Sequence, residues 1–412
     1  MCIAARCRSP TCRGSDVTTA TALRPTTTTE IAEAFAVAMN SGGVIEIRGG
    51  GSKAAMARPQ RATTAMDMSA FASVVDYDPR ELVLTVGAGA RLSEIETLVA
   101  AQNQMLAFEP FDHGSILGTA SGNATIGGIV AANVSGSRRL SAGSARDHVL
   151  GIEGVSGRGE VFKAGGRVVK NVTGYDLPKL MAGSWGRLAA LTTITLKVLP
   201  RPRAGVTVIV RGLSDENAAT VMTRATGSTT EVSGAAHVPA HAGVEAATAL
   251  RVEGVGPSVK ARAATLAALF RADGPVETLE NDASTSFWER LRDLDPLKSS
   301  PSEALLWRIN GRPTRTWQVP SLFATSGARW FYDWAGGLIW LTTTPDTDPA
   351  FVRRTAAHAG AQATLIRAPE SVRAATPMLH EEPTIADLSK RVKAAFDPAN
   401  ILDPYRFHAG TI

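Results

Sequence analysis

Val44-Ile45-Glu46-Ile47 runs directly into Arg48-Gly49-Gly50-Gly51-Ser52. A β-rich run that breaks on three glycines reads as a strand entering a loop, and such a loop can turn successive backbone N–H groups toward a phosphate. It is not a Walker A loop, because no Gly-Lys-Ser/Thr follows at the required spacing, and it is not G-x-G-x-x-G. Taken alone it is equally a tight turn. Upstream, Thr27 to Met39 predicts a helix with Thr27 and Glu30 as a capping box, a stripe of Ile31, Phe35 and Ala38, and Gly42 as its stop. Downstream, Leu82 to Val86 predicts a strand ended by Gly87 and Gly89. Ser93 with Glu96 predicts a second capping box, for a helix carrying Ile95, Leu98 and Val99.

Further along, 16 of the 38 glycines fall between Gly114 and Gly186. Glycine is used where backbone takes positive φ or approaches something closely, so this density predicts a backbone surface wrapped around a ligand. Thr125-Ile126-Gly127-Gly128-Ile129-Val130-Ala131-Ala132-Asn133 would let a helix N-terminus approach a diphosphate; close helix–sheet packing is the alternative. Gly143-Ser144-Ala145-Arg146-Asp147 follows as a further candidate contact segment, with a simple pairing of Arg146 and Asp147 as the alternative. The block Lys170 to Leu180 places Asp176 as an N-cap with Pro178 in the first turn. Gly183-Ser184-Trp185-Gly186-Arg187-Leu188 then opens a strand reaching Leu199, closed by Pro200-Arg201-Pro202-Arg203 as an exposed boundary. Beyond residue 204 the chain is Ala-rich, with helices expected at Ala261 to Phe270 and Val352 to Ala359. Six of seven tryptophans lie between Trp288 and Trp340, where Ala335-Gly336-Gly337 predicts a hairpin turn.

Composition removes several function classes. The chain has 412 residues, 44% hydrophobic and 20% charged, with a net charge of +5. All three cysteines, Cys2, Cys7 and Cys12, lie in the first 25 residues, so the body has no disulfide framework, thiolate zinc site or iron–sulfur cluster of its own. The same tail carries +3 of the +5, without interleaved aromatics, which excludes nucleic acid as a partner. No run of about 18 apolar residues exists, so no membrane span is expected. His237 and His241 are four apart, but Pro239 intervenes, and they read as ordinary loop histidines rather than a metal site.

The ordered set is more telling than any member. The loop at Arg48 to Ser52, Thr125 to Gly128, the K-N-V-x-G-Y-D-L block at Lys170 to Leu177, and G-S-x-G-x-L at Gly183 to Leu188 occur in sequence before a strand. This strongly resembles the FAD-binding domain of the vanillyl-alcohol-oxidase and para-cresol-methylhydroxylase (PCMH) type, and within it the FAD-binding (E) subunits of bacterial glycolate oxidases. The resemblance covers about residues 26–203 well and the rest weakly, where the tryptophan hairpin and Phe396-Asp397-Pro398 look like family features. It implies an α+β fold: a flexible basic tail over 1–25, a two-subdomain FAD-binding domain over 26–203, an α+β cap over 204–385, and a segment over 386–412 returning to the FAD domain.

The resemblance also implies cofactor contacts. The FAD pyrophosphate is expected on Arg48, Gly49, Gly50, Gly51 and Ser52, with further contacts from Pro110 in the Pro110–Ser115 segment, from Thr125, Gly127 and Gly128, from Ser144, Arg146 and Asp147, and from Gly183, Gly186 and Leu188. Some relatives attach FAD through a histidine in the first loop. Ser52 holds that place here, followed by Lys53, so the FAD is expected to be non-covalent, with His113 the nearby alternative. A carboxylate at Gly50 is expected to abolish FAD retention by its charge. The related catalytic subunits carry H-x-G-D-G-N-x-H in the cap, and this chain does not, so its catalytic residues are unassigned. The implied role is an electron-relaying FAD subunit of a multi-subunit glycolate (2-hydroxy acid) oxidase, beside a second flavin-containing catalytic subunit and an iron–sulfur subunit. The expected place is the cytoplasm, with any contact to the inner membrane made through the complex. The alternative is a self-sufficient FAD-dependent oxidoreductase of a hydroxy acid or sugar.

Overall fold

The structure is a computed structural model that describes residues 21–59, 64–167, 174–402 and 406–407. Residues 1–20, the Lys170–Thr173 part of the glycine-flanked block and His408 lie outside them.

The fold is α+β. The first helix, Thr28–Ser41, begins where Thr27 accepts the N–H of Glu30 and stops at Gly42, which takes the left-handed φ of 66°. The Glu30 carboxylate reaches the N–H of Thr26 rather than that of Thr27, so the box closes one residue early. Its buried face of Ile31, Phe35 and Ala38 packs with Ile45, Met66, Val155 and Ala190. Strands Thr21–Leu23, Thr64–Asp67 and Ile45–Arg48 form, in that order, a small parallel sheet. A second, antiparallel sheet runs in the order Val74–Asp78, Val83–Gly87, Ala189–Lys197, Val149–Ser156, Val161–Gly165.

The capping box expected at Ser93 and Glu96 does not form. The helix Leu92–Ala100 starts after Arg91, with no side-chain cap. Its start is set by a distant segment: Arg91 bridges Thr125, and the N–H of Leu92 donates to Ala124 O. Backbone pairing supplies what the cap would have supplied.

From Ala204 onward the chain builds an eight-stranded antiparallel sheet, in the order Val276–Glu280, Ala204–Arg211, Ala247–Gly254, Val232–Val238, Arg329–Asp333, Leu338–Thr343, Leu305–Asn310, Gln362–Arg367. The period of two sorts its side chains. Trp307, Ile309, Tyr332, Ile339 and Leu341 face helices Asp215–Thr226, Gly256–Phe270 and Pro349–His358. Leu306, Phe331, Leu338, Trp340 and Ile366 face the other way and join the core that holds Phe108, Phe111 and Ile116. The predicted hairpin is present: Arg329–Asp333 pairs with Leu338–Thr343 around a turn in which Trp334 and Ala335 take φ of 52° and 54°. The tryptophans of this region are mostly core, with Trp288, Trp307, Trp334 and Trp340 all buried.

His237 corrects one expectation. It is not in a loop but fully buried in strand Val232–Val238, with Nδ1 2.9 Å from Thr248 Oγ1 and Nε2 3.3 Å from Asp215 Oδ1. His241 lies beyond the strand, in a turn closed on Val244. Among the described residues no helix is long and apolar enough to cross a membrane.

Candidate functional site

Strand Ile45–Arg48 delivers the glycine loop to the foot of the short helix Ile126–Ala131. Between them opens a cleft of about 1030 Å³, counted to its mouth, walled by Glu46 to Ala54, Thr125, Gly127, Gly128, Ser184, Trp185, Gly186, Ala189, Leu191, Arg406 and Phe407. Nine of the residues named from the sequence therefore share one cavity: Arg48, Gly49, Gly50, Gly51, Ser52, Thr125, Gly127, Gly128 and Gly186.

The backbone of this loop is chemically open. Among the described residues, the N–H groups of Gly49, Gly50, Gly51, Ser52 and Lys53 have no acceptor in the protein. Five consecutive donors without an acceptor, on residues that line a cleft, are a donor set able to hold an anion. Lys53 adds charge: its Nζ lies 3.8 Å from where a Cβ on Gly128 would stand, and no carboxylate pairs with it among the described residues. Burial lowers its pKa to about 8, against the pull of the Asp112 carboxylate. Asp112 is engaged elsewhere, accepting the N–H groups of Gly114, Gly122, Asn123 and Ala124 at 2.8–3.2 Å.

The helix N-terminus expected to hold a diphosphate is already satisfied. Ile126 N–H donates to Ala90 O, Gly127 N–H to Ala88 O, and Gly128 N–H to Thr125 Oγ1. The N–H groups left open are on the loop instead. The glycines also divide by role. A Cβ on Gly49 would meet Thr125 Oγ1 at 2.2 Å, one on Gly50 would meet Asn123 O at 1.6 Å, and one on Gly127 would meet Ala88 O at 2.8 Å. Gly51, with φ of 75°, has nothing within 4 Å.

Six named residues stand outside this cleft. Pro110 borders a neighbouring hollow with Phe111, Asp112 and Ser115. Arg146 and Asp147 do not pair: Asp147 folds back onto the N–H and hydroxyl of Ser144, both at 2.8 Å, while Arg146 N–H donates to Asn133 Oδ1. Gly183 N–H donates to Val130 O, and Leu188 O accepts from Gly157. His113 is buried, stacked on Phe111 at 4.5 Å, and does not line the cleft.

Sequence reasoning missed two groups. Trp185 holds a left-handed φ of 57°, with its N–H on Ala131 O, and its ring lies 5.2 Å from that of Phe407. Arg406 pairs with the buried Glu46 and donates to the carbonyls of Ala54 and Met56. The Ile-Glu-Ile alternation was the available signal that Glu46 points away from its neighbours; nothing in the sequence pointed to Arg406 as its partner.

The FAD binding domain family matches residues 19–165. The chain is similar to the glycolate oxidase subunit GlcE of Escherichia coli (34% identity over 370 residues, 88% of this chain and 92% of that protein). About half of it is similar to the glycolate oxidase subunit GlcD of Bacillus subtilis (30% identity over 210 residues, 51% of this chain and 42% of that protein). Among solved structures, alkyldihydroxyacetonephosphate synthase superposes with a TM-score of 0.65 at 14% identity, over 93% of this chain and 76% of the other, a likeness of fold.

Proposed function

We propose that this chain, which belongs to the family of FAD-binding glycolate oxidase subunits that includes GlcE, holds FAD non-covalently in the cleft above the glycine loop and relays electrons within a multi-subunit oxidase of glycolate or a similar 2-hydroxy acid. The observation that carries the cofactor site is the row of five open N–H groups from Gly49 to Lys53 beside the unpaired Lys53 cation. That donor set fits a diphosphate: backbone N–H groups need no side-chain reorganisation, and Lys53 supplies a compact charge. Ser52, at the position of an attaching histidine, offers no nucleophile of comparable strength, which supports non-covalent binding.

When bound, FAD accepts two electrons from a substrate or partner and releases them singly or together. This chain's part is to bind and orient. Trp185 and Phe407 cover the apolar end of the cleft, and Arg406 ties its floor to the strand through Glu46. In this reading residues 26–203 with 386–412 form the cofactor unit and 204–385 the cap. A second flavin-containing subunit binds and oxidises the acid, and an iron–sulfur subunit, which must supply any cluster because residues 26–412 contain no cysteine, takes the electrons onward.

The test is the visible spectrum of the purified chain before and after acid precipitation, followed by anaerobic glycolate. A yellow protein that releases FAD and bleaches only when partner subunits are added agrees with the proposal. A colourless protein that cannot be reconstituted sinks the cofactor site, and bleaching of the isolated chain by glycolate turns the reading to a self-sufficient oxidoreductase.

A further inference from the structure

Glu109 takes a left-handed backbone where one is not expected. Its φ is 50° and Pro110 follows it, although its side chain and a following proline both favour extended backbone. The turn it makes leads straight into the 110–115 segment. Such a conformation persists where the surrounding contacts over-determine it.

Those contacts are ionic and cross the seam between the N-terminal half and the eight-stranded sheet. From its own half Glu109 accepts the Arg138 N–H at 2.6 Å and Arg138 Nη1 at 2.7 Å; from the sheet it accepts Arg251 Nη1 and Nη2 at 2.8 and 3.2 Å. Glu253, two residues along the strand from Arg251, closes the ring. It accepts Arg138 Nε at 3.0 Å and Ser233 Oγ–H at 2.6 Å, with Arg251 Nε 3.3 Å away. Two acids balance two arginines, and the four side chains are only 4–19% exposed, so their attraction is weakly screened. Burial raises the pKa of both acids, but the Arg251 and Arg138 charges outweigh it, leaving Glu109 below its ordinary value and Glu253 at about 2. Both are ionised at neutral pH. Arg251 is also seated over Trp288, its Cζ 4.5 Å from the ring centre.

On either side of Glu109 the chain supports the cofactor cleft. A Cβ on Gly136 would meet Glu109 Cβ at 2.7 Å, and Gly136 N–H donates to Phe108 O, which fixes the segment leaving helix Ile126–Ala131. Three residues beyond Glu109, the Asp112 carboxylate holds the N–H groups of Gly114, Gly122, Asn123 and Ala124. Asn123 is the residue against which Gly50 is pressed. A short path thus joins Arg251, Glu109, Asp112 and the glycine loop.

We propose that Glu109 is a positioning residue for the cofactor cleft, the point through which Arg251 of the eight-stranded sheet sets where the 122–124 backbone stands against the glycine loop. The proposal rests on the proposed function for the identity of the cofactor; the placement of the backbone is independent of it.

The test uses the full chain with Glu109→Met, Arg251→Met and the two combined. It is read by FAD titration, by amide hydrogen exchange of the FAD-free form and by denaturant unfolding. Either single change leaves an unbalanced buried charge. Each is expected to weaken FAD binding roughly tenfold and to speed exchange at Gly114 and at Gly122 to Ala124, whose N–H groups Asp112 holds. The double variant leaves Arg138 and Glu253 as a balanced pair. Its unfolding midpoint is expected to return toward the wild type, while FAD affinity and exchange stay as in Glu109→Met. Arg251→Lys, which keeps one pair with Glu109, is expected to restore part of both. Should Glu109→Met fail to fold, Arg251→Met and Arg251→Lys ask the same question from the other side of the seam. Wild-type affinity or wild-type exchange in the single variants overturns the proposal. A double variant that recovers affinity together with stability also overturns it, by making the ring a matter of charge balance alone. A wild-type chain that binds no FAD, with exchange at Gly122 to Ala124 still dependent on Glu109, brings down the flavin reading and leaves the positioning role standing. FAD bound equally by the wild type and every variant does the reverse.

Discussion

The backbone of Gly50 passes so close to Asn123 that a Cβ placed on it would lie 1.6 Å from the Asn123 carbonyl oxygen. The loop and the 121–124 segment are therefore pressed together, and Asp112 clamps that segment from beneath. Gly50→Ala should lose FAD as completely as Gly50→Glu, because any side chain forces the wall apart before charge matters. Gly51→Ala, at a left-handed φ with open space around it, should cost only about 1 kcal/mol of backbone strain and keep most FAD. Measured FAD content per chain in the three variants decides this; an intact cofactor in Gly50→Ala contradicts the packing argument.

Lys53 makes FAD affinity depend on pH. Its free-chain pKa of about 8 rises when an anion settles beside it, so binding takes up a proton at higher pH. Affinity should be flat below pH 8 and fall above it, by up to about tenfold per pH unit until the bound-state pKa is reached. Lys53→Met should bind more weakly at pH 7 and lose this slope. Fluorescence titrations at pH 7, 8 and 9 provide the check, and a parallel slope in the variant would assign the effect to another group.

Asp333 sits in the seam with Ser137 Oγ–H donating to Oδ2 and Trp334 N–H donating to Oδ1, both at 2.7 Å. Burial raises its pKa from 3.8 to about 6, equivalent to about 3 kcal/mol. For a raised acid the folded state holds its proton more tightly. This group's contribution is thus favourable at low pH and is lost as pH rises from about 4 to about 6, leaving a cost above that. Asp333→Asn keeps both neighbours hydrogen-bonded without the charge. It should stabilise the chain at pH 8 by up to about 3 kcal/mol and change little at pH 4. Denaturant unfolding of both proteins at the two pH values tests this, and a gap that does not widen with pH counts against it.

Trp185 and Phe407 meet over the cleft at 5.2 Å with an interplanar angle of 32°. Trp185→Ala and Phe407→Ala should each weaken FAD binding by roughly tenfold, the value of a lost aromatic contact plus its buried area. The double variant should lose less than the sum, because each single change already removes the shared contact. Strict additivity in equilibrium dialysis would mean the rings act separately.

Local chemistry was legible in the sequence wherever it acts over a few residues. Thr27, the Ile31–Phe35–Ala38 face and Gly42 bound the first helix because cap, stripe and stop all lie within it. Asp176 caps Lys179 N–H for the same reason. The misreadings came from distance. Ser93 offered a good cap, but the start of its helix is dictated by pairing with Thr125, some thirty residues on. The glycines were read correctly as points of close approach, yet at Gly49, Gly50 and Gly127 the approach is to another part of the chain. His237, spaced like a loop residue by Pro239, is drawn into a strand by Thr248 and Asp215 across the fold.

The union of Arg406 with Glu46 has a consequence for how the protein is made. Residue 46 is made 360 residues before residue 406, and Leu402 must also return to bridge Ile45. Until then Glu46 lacks its buried counter-charge and the cleft lacks the Phe407 side of its mouth. The nascent chain carries an unfinished cofactor cradle until residues 406 and 407 have been made, so flavin loading must wait for them, and a chain stopped a few residues before Arg406 should emerge colourless.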